Sequence, residues 1–290
     1  MTIGILLQAV ISGLANGSIY ALIAVGLTLV FGIMRIINFA HGEFLMIAMY
    51  GGFFAWSAFG IDPVLAVVIV TPVVMLIGVG LYKGLIRFAL NVPDINQMAV
   101  TLGLSMLLQH MALMMFTGNN RLITQPRSTA SIAIGPAIIQ VPQLIACVAS
   151  LSLLGLLYLV LRRSDLGLVM RAVSQSRDGA ALSGIDISAV YKWAMAIGIG
   201  SLGVAGPLMA AILYVNPMVG ALFTLKAFVI VIVGGLGSFS GVLIGSLLVG
   251  LAESIAAAWF SAAISAAVPF AILLLVLLIR PEGLMSARMR

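Results

Sequence analysis

The residues best suited to chemistry in this chain sit where a lipid-soluble sequence should carry none. Ile37-Asn38-Phe39-Ala40-His41-Gly42-Glu43 joins two apolar runs with almost no loop between them. His41 can titrate or donate hydrogen bonds, and Glu43 can pair with it or with Arg35. A charged side chain at membrane depth costs about 2.5–3.5 kcal/mol on insertion scales, so it is rare there and usually functional. Two readings stand side by side: a polar station in a translocation pathway, or a short cytoplasmic turn whose polar groups cap helices. Glu253, inside an apolar run, poses a similar choice between pathway and membrane surface. Asn16 and Tyr20, four apart on one helical face, interrupt the first run together with Thr28. Gln97 and Thr101 share a face of the fourth, which also carries Gln109. These side chains can line a polar path or hydrogen-bond between packed helices.

The elements that must position them are membrane helices. The chain has 290 residues, 63% of them hydrophobic and only 8% charged, against roughly 25% charged in soluble domains. A spanning helix needs about 20 mostly apolar residues, which allows roughly seven to nine segments and no separate soluble domain. The expectation is an all-α integral membrane protein with a single transmembrane domain over residues 1–290. The apolar runs are 3–31, 44–59, 64–81, 99–116, 144–161, 193–215, 227–258 and 262–279, about eight segments. No basic residue precedes the first run, so it reads as a membrane helix and not as a signal peptide. Run 227–258 is too long for one simple span, and Gly234-Gly235-Leu236-Gly237-Ser238 would unwind a helix there. The pieces 35–43, with Gly42, and 234–241, with Gly234, Gly235 and Gly237, are the expected helix breaks, one in each half. Irregular backbone at membrane depth is tolerated only when buried in protein or lining a cavity, and breaks in both halves point to a transport pathway.

Charge sets the orientation. Residues 162–192 hold five basic and three acidic side chains, 280–290 hold three basic ones, 83–96 two, and Arg35 adds one; Arg121, Arg127 and Lys226 form the minority. The positive-inside rule places the first group in the cytoplasm and the 118–143 loop outside. The N-terminus is then outside, and a cytoplasmic tail requires 227–258 to enter and return on the same side. The net charge of +6 reads as topology, with no call for nucleic acid. Cys147 is the single cysteine and only two histidines occur, so neither a disulfide nor a metal cluster is expected. The lysines precede Gly84, Trp193 and Ala227, so there is no P-loop. No catalytic grouping stands out, and an enzyme is not expected. Active transport by such a chain needs an ion gradient or a separate ATPase. Within 162–192, Leu166, Val169, Met170 and Val173 recur at helical spacing, with Arg171, Ser174, Gln175 and Asp178 on the other side. Such a helix can lay its apolar face in a partner's groove; the plainer reading is a solvated or interfacial loop. The competing class is a stand-alone channel or ion-coupled carrier with His41 and Glu43 in a proton path.

Several motifs together resemble one family: Asn16-Gly17 with Tyr20-Ala21-Leu22, Gly26, Asn38-Phe39-Ala40-His41-Gly42-Glu43, Lys226-Ala227-Phe228, Gly234-Gly235-Leu236-Gly237-Ser238 and Arg280-Pro281-Glu282-Gly283-Leu284. It is the permease subunit of branched-chain amino acid ABC importers, of the LivH type, and the resemblance runs along essentially the whole chain. It implies the ABC importer permease fold, a second related permease, two ATPase subunits that carry ATP and Mg2+, and a periplasmic or lipid-anchored binding protein. The setting it implies is a bacterial-type cytoplasmic membrane. Leu166-Gly167, Arg171-Ala172, Ala180-Ala181 and Gly184-Ile185 resemble the loop by which such permeases contact their ATPase, with Arg171 and Arg177 as basic contacts. The docking helix is expected to end near Ser176, leaving Gly184-Ile185 as a separate contact. Relatives carry urea, short amides or aromatic acids as well as branched-chain amino acids, so the substrate stays open.

Overall fold

The computed structural model describes residues 2–90, 92–124 and 130–285; Arg127, Arg288 and Arg290, counted in the charge distribution, lie outside them. Helix α1 (Thr2–Met34) is 33 residues long, roughly 50 Å at 1.5 Å per residue. It is apolar on all sides and buried along most of its length, the pattern of a helix enclosed by others. A loop leads to α2 (His41–Phe59). Gly60, at φ 66°, ends α2 with the Gly60 N–H on Trp56 O and the Ile61 N–H on Ala55 O, a left-handed cap that glycine adopts without strain. Asp62 then caps α3 (Pro63–Leu81), with proline at its first position. A π-turn over Tyr82–Ile86 carries α3 into the short α4 (Arg87–Ala89).

Helix α5 (Asp94–Phe116) leads through a loop to a hairpin of β1 (Ser131–Ile134) and β2 (Ala137–Gln140), which hydropathy alone did not reveal. Next come α6 (Val141–Arg163), α7 (Asp165–Gln175), α8 (Arg177–Leu182), α9 (Ile187–Ala210), α10 (Val219–Gly234), α11 (Phe239–Trp259) and α12 (Ala262–Ile279). Six described helices are long and apolar enough to cross a membrane: α1, α3 with its extension to Ala89, α5, α6, α9 and α11; α10 and α12 are shorter apolar helices. The architecture is all-α and multi-pass.

The two ends of the bundle differ. At one end Arg35, Asp94, Gln97, Arg177 and Tyr191 line one cleft, and the Tyr82 hydroxyl meets Ser188 Oγ at 3.1 Å. At the other, Gln8 Nε2 donates to Ile138 O at 2.8 Å, and Arg121 and Val215 exchange backbone hydrogen bonds. The described basic residues named for the cytoplasm thus gather at one end, called the basic end below. The described residues of the 118–143 loop sit at the far end.

Two helices begin in the middle of the bundle. His41 Nε2 donates to Ile23 O, eleven residues before the end of α1, so residues 35–40 retrace about 16 Å along α1 before α2 starts. Gly52 packs on Pro207 and Gly206 on Ala48 near the far end, whereas Gly220 packs on Gly42. Residues 211–218 therefore retrace about 15 Å along α2 before α10 starts. From this level α2 runs to the far end and α10 to the basic end. The long helices α1 and α9 cross where Gly26 and Gly198 touch. Helix α1 lies along α11 as α9 lies along α3. The unit α1–α3 and the unit α9–α11 are inverted counterparts.

This corrects the pairing of breaks read from the sequence. Gly234–Ser238 does separate α10 from α11, with Gly235 at φ 104° and Gly237 at φ 79°, and the α10–α11 pair does enter and return on one side. The break lies at the basic end, however. Gly237 abuts Gly32, and the backbone of Leu284 and Met285 donates to Val233 O and Gly234 O at 2.8 and 3.0 Å. The counterpart of 35–40 is 211–218, an apolar stretch that hydropathy cannot separate from α9.

Between α6 and α7, the Ser164 hydroxyl donates to Val160 O at 2.6 Å and accepts from the Gly167 N–H at 3.1 Å. Replacing Ser164 by Ala is expected to cost about 1 kcal/mol, the usual worth of an N-cap. A lowered melting midpoint in detergent checks this, with Ser164→Asn restoring most of the loss.

Candidate functional site

The mid-bundle start of both broken helices uses the same local device. Asn38 Oδ1 accepts from the Ala40 N–H at 3.1 Å, and the His41 N–H donates to Asn38 O at 3.2 Å. Asn216 Oδ1 accepts from the Met218 N–H at 3.0 Å, and the Val219 N–H donates to Asn216 O at 3.3 Å. Each turn satisfies orphan backbone donors with the asparagine side chain and launches a helix. Four residues after each asparagine stands a glycine, and Gly42 and Gly220 face each other with no room for a side chain. Thr224 Oγ1 bridges them, accepting from the Gly42 N–H at 2.9 Å and donating to Gly220 O at 3.0 Å.

The polar residues of this junction are fully enclosed: Asn38, His41, Glu43 and Thr101 each have 0% exposure. His41 donates through Nε2 to the Ile23 carbonyl at 2.9 Å, which fixes its tautomer and pins α2 to α1. The Glu43 side chain does not bond to His41; its Oε1 accepts from Ser105 Oγ of α5 at 3.1 Å. Its Oε2 lies against Gly220, beside the first turn of α10, where free N–H groups and the helix dipole favour negative charge. Thr101 Oγ1 donates to Ile37 O at 3.0 Å, holding the 35–40 link. The Asn38 Nδ2, His41 Nδ1 and Glu43 Oε2 atoms have no hydrogen-bond partner among the described residues. An enclosed polar junction of this kind is expensive unless satisfied, so its groups can re-pair if the helices move.

The other pathway candidates disperse. Gln97 donates to Val92 O at 2.9 Å, within its own helix start. Asn16 Oδ1 accepts from Gln143 at the far end at 2.9 Å. Thr28 lines a cavity of about 580 Å3 near the basic end, with Tyr158, Arg162 and Arg171 among its neighbours. Tyr20 and Glu253 come together around Lys226, one of the three basic residues outside the cytoplasmic group of the charge count. Lys226 lies inside α10, where its Nζ donates to Glu253 Oε1 at 2.6 Å and to the Tyr20 hydroxyl at 3.1 Å. The ammonium also stands 4.9 Å from the Tyr20 ring centroid. A lysine paired in this way is no marker of topology. The available signal was its spacing from the Gly-rich break, which keeps it within one helix of that turn.

The segment after α6 forms two helices. Helix α7 ends at Gln175 and Ser176 caps α8 through the Gly179 N–H at 3.1 Å, so the expected end near Ser176 is met. The apolar stripe turns inward: Met170 and Val173 are buried, and Leu166 and Val169 share a groove with Ile185, Val190 and Trp193. Met170 and Val173 are therefore used within the chain, where α7 packs on α1, α6 and α9, while Leu166 and Val169 stay half-buried in the groove. Arg171 is exposed and donates to the Leu161 carbonyl at the end of α6. Arg177 stands over the Tyr191 ring at 5.9 Å. Gly184, at φ 80°, turns the chain toward α9. The outward apolar residues are Leu168, 59% exposed, and Leu182, 90% exposed.

Comparison with known proteins agrees with this architecture. Residues 9–277 match the family described as branched-chain amino acid transport system / permease component. The chain is 32% identical over 300 aligned positions to the high-affinity branched-chain amino acid transport system permease protein LivH of Escherichia coli K12, covering 97% of this chain and 95% of the relative. It is 31% identical to BraD of Pseudomonas aeruginosa, with the same coverage. It is 28% identical to a probable LivH permease of Methanocaldococcus jannaschii, covering 82% of this chain and 77% of that one. No solved structure matches. An all-α bundle with paired mid-depth helix breaks, matched along nearly its whole length, belongs to the family of branched-chain amino acid transport permeases.

Proposed function

We propose that this chain is one half of the translocation pathway of an ATP-driven importer for branched-chain or related hydrophobic amino acids. The observation that carries the reading is the junction of the two inverted units, where α2 and α10 both begin around Asn38, His41, Gly42 and Glu43. Broken helices meeting at mid-depth are the usual setting of a substrate site between repeats. Asn16, Tyr20, Thr28, Gln97, Thr101 and Glu253 are proposed to line or flank the route. The positive-inside rule supports a cytoplasmic setting for the basic end, and the proposed location is a cytoplasmic membrane with the 118–143 loop toward an external binding protein. A second related permease completes the pathway. Two ATPase subunits, which carry ATP and Mg2+, dock at residues 162–192, with Arg171, Arg177, Gly184 and Ile185 near the contact. ATP-driven closure of the ATPases moves α8 and α9, and the junction of α2 with α10 re-pairs to pass the substrate inward.

The stand-alone carrier reading fits the geometry less well. His41 and Glu43 bond away from each other, to α1 and to α5, so they form no continuous proton path. Reconstitution in liposomes separates the two. The full complex with its binding protein is expected to accumulate leucine only with ATP inside the ATPase compartment, and the purified chain alone is expected to accumulate none. Leucine uptake by the chain alone, driven by a proton gradient, would sink the importer reading.

A further inference from the structure

The Tyr20, Lys226 and Glu253 cluster stands apart from the junction and has features that a structural ion pair does not need. Glu253 lies 14 residues into α11, about 21 Å from the basic end and about 9 Å from the far end. Tyr20 is one turn from Asn16, which meets Gln143 at the first turn of α6. With Tyr20 near the middle of α1 and Lys226 midway along α10, the cluster sits inside the membrane-spanning part, near its middle. The Lys226 and Glu253 side chains are 22% and 17% exposed. Charge left open to hydrocarbon at this depth is costly, so the face on which they open belongs to an aqueous path or a polar partner surface.

The pairing is also incomplete. A lysine ammonium has three donors, and Lys226 uses two, on Glu253 Oε1 and the Tyr20 hydroxyl. Glu253 Oε2 is enclosed and has no hydrogen-bond partner among the described residues, so it comes within reach of a ligand only as the carboxylate turns from Lys226. The cluster thus holds one spare donor on a cation and one spare acceptor on an adjacent anion. A zwitterion carries the complementary pair. Its carboxylate can accept from Lys226 while its ammonium donates to Glu253, and the two ion pairs exchange partners without leaving any charge uncompensated. An uncharged solute such as urea or a short amide can bond to the spare donor and acceptor, but it brings no charge with which to replace either member of the ion pair.

Building on the importer reading, we infer that Tyr20, Lys226 and Glu253 form a way-station for the charged end of a zwitterionic amino acid on its path from the far end. Lys226 takes the carboxylate, Glu253 takes the ammonium, and Tyr20 holds the lysine in place. The apolar side chain of the amino acid is left to the surrounding leucines, among them Leu222 and Leu225, which are exposed on α10.

The test uses the full complex in liposomes, with leucine as the probe. The wild-type arm decides the importer reading; absence of ATP-driven uptake there overturns that reading and this one with it. Given wild-type uptake, Glu253→Gln is expected to lower the leucine rate about tenfold to a hundredfold, the worth of one charge-assisted hydrogen bond. ATP hydrolysis stimulated by loaded binding protein is expected to persist. The double variant Lys226→Met with Glu253→Met separates this from a structural role, because apolar replacement of a buried ion pair is often neutral or stabilising. The station predicts the same loss of uptake in the double variant with the complex assembled. Uptake within about twofold of wild type in either variant overturns the inference. If neither variant assembles with its partners, the cluster is a structural pin and the inference falls.

Discussion

Replacing Gly42 by Val is expected to leave almost no correctly assembled protein in the membrane. A Cβ at this position would fall inside the contact distance of the Gly220 carbonyl oxygen and of Thr224 Oγ1, and 2.8 Å from the Thr224 backbone nitrogen. Two of these three atoms are backbone, so no side-chain rotation relieves the overlap. Helix α10 would have to move away, which breaks the hydrogen bond from the Gly42 N–H to Thr224 and leaves a buried donor unpaired, at about 1–3 kcal/mol. Overpacking adds about 1–3 kcal/mol more. Together these approach the marginal stability of a typical domain. Gly220→Ala is the milder case, because the nearest obstruction there is the end of the Glu43 side chain. Gly103→Ala in α5 is the control: a Cβ there meets nothing within 4 Å, and alanine in a helix gains about 0.5–1 kcal/mol over glycine. Size-exclusion profiles of the solubilised variants and their melting midpoints give the order Gly103→Ala, Gly220→Ala, Gly42→Val. A Gly42→Val protein that behaves like wild type would remove the close crossing from the account.

The same glycine shows what the chain discloses before folding. Membrane class, helix positions and the Gly-rich break were legible, because long apolar runs and left-handed glycines act locally. The Asn38 to Glu43 stretch stood out because polar residues there are costly. Its counterpart did not, although Asn216 and Gly220 repeat the spacing of Asn38 and Gly42. Residues 211–215 read as the tail of the apolar run 193–215, since Ile212, Leu213 and Val215 hide a chain that leaves helical geometry. The inverted relation between the halves lives in tertiary packing, with only two residues in each half to record it. The role of Lys226 was hidden for a similar reason: a cation at the edge of an apolar run counts only as a topology charge until Glu253, 27 positions later, is seen to neutralise it. Periodicity shows that a face of α7 is apolar, and packing corrects which part of it stays open: Met170 and Val173 are buried, while Leu166 and Val169 stay half-buried in a groove beside Trp193.

That last correction sets where the coupling test should be made. Replacing Leu182 by Glu is expected to uncouple ATP hydrolysis from uptake. Leu182 is 90% exposed on a helix that is otherwise firmly seated: Ala180 is buried, the Ile185 N–H donates to Ala180 O at 3.1 Å, and Arg177 rests on the Tyr191 ring. An isolated leucine held out on a rigid, polar-rimmed element is the form of an interface anchor, and truncating such an anchor costs about 2 kcal/mol or more. Tyr191 belongs to α9, which crosses α1 at Gly198 and continues into the 211–218 link that starts α10. A push on Leu182 therefore has a packed route to the junction with α2. The expected result is a fall in ATP-driven leucine uptake of about thirtyfold, with weakened retention of the ATPases on the solubilised permease. Affinity for the external binding protein is expected to be unchanged. Reversal at Arg171, the contact named by resemblance, is expected to act less strongly, because Arg171 is tied to the Leu161 carbonyl of its own chain. If the Leu182→Glu complex kept wild-type uptake while Arg171→Glu lost it, the docking contact would lie on α7, and α8 would only close the turn into α9.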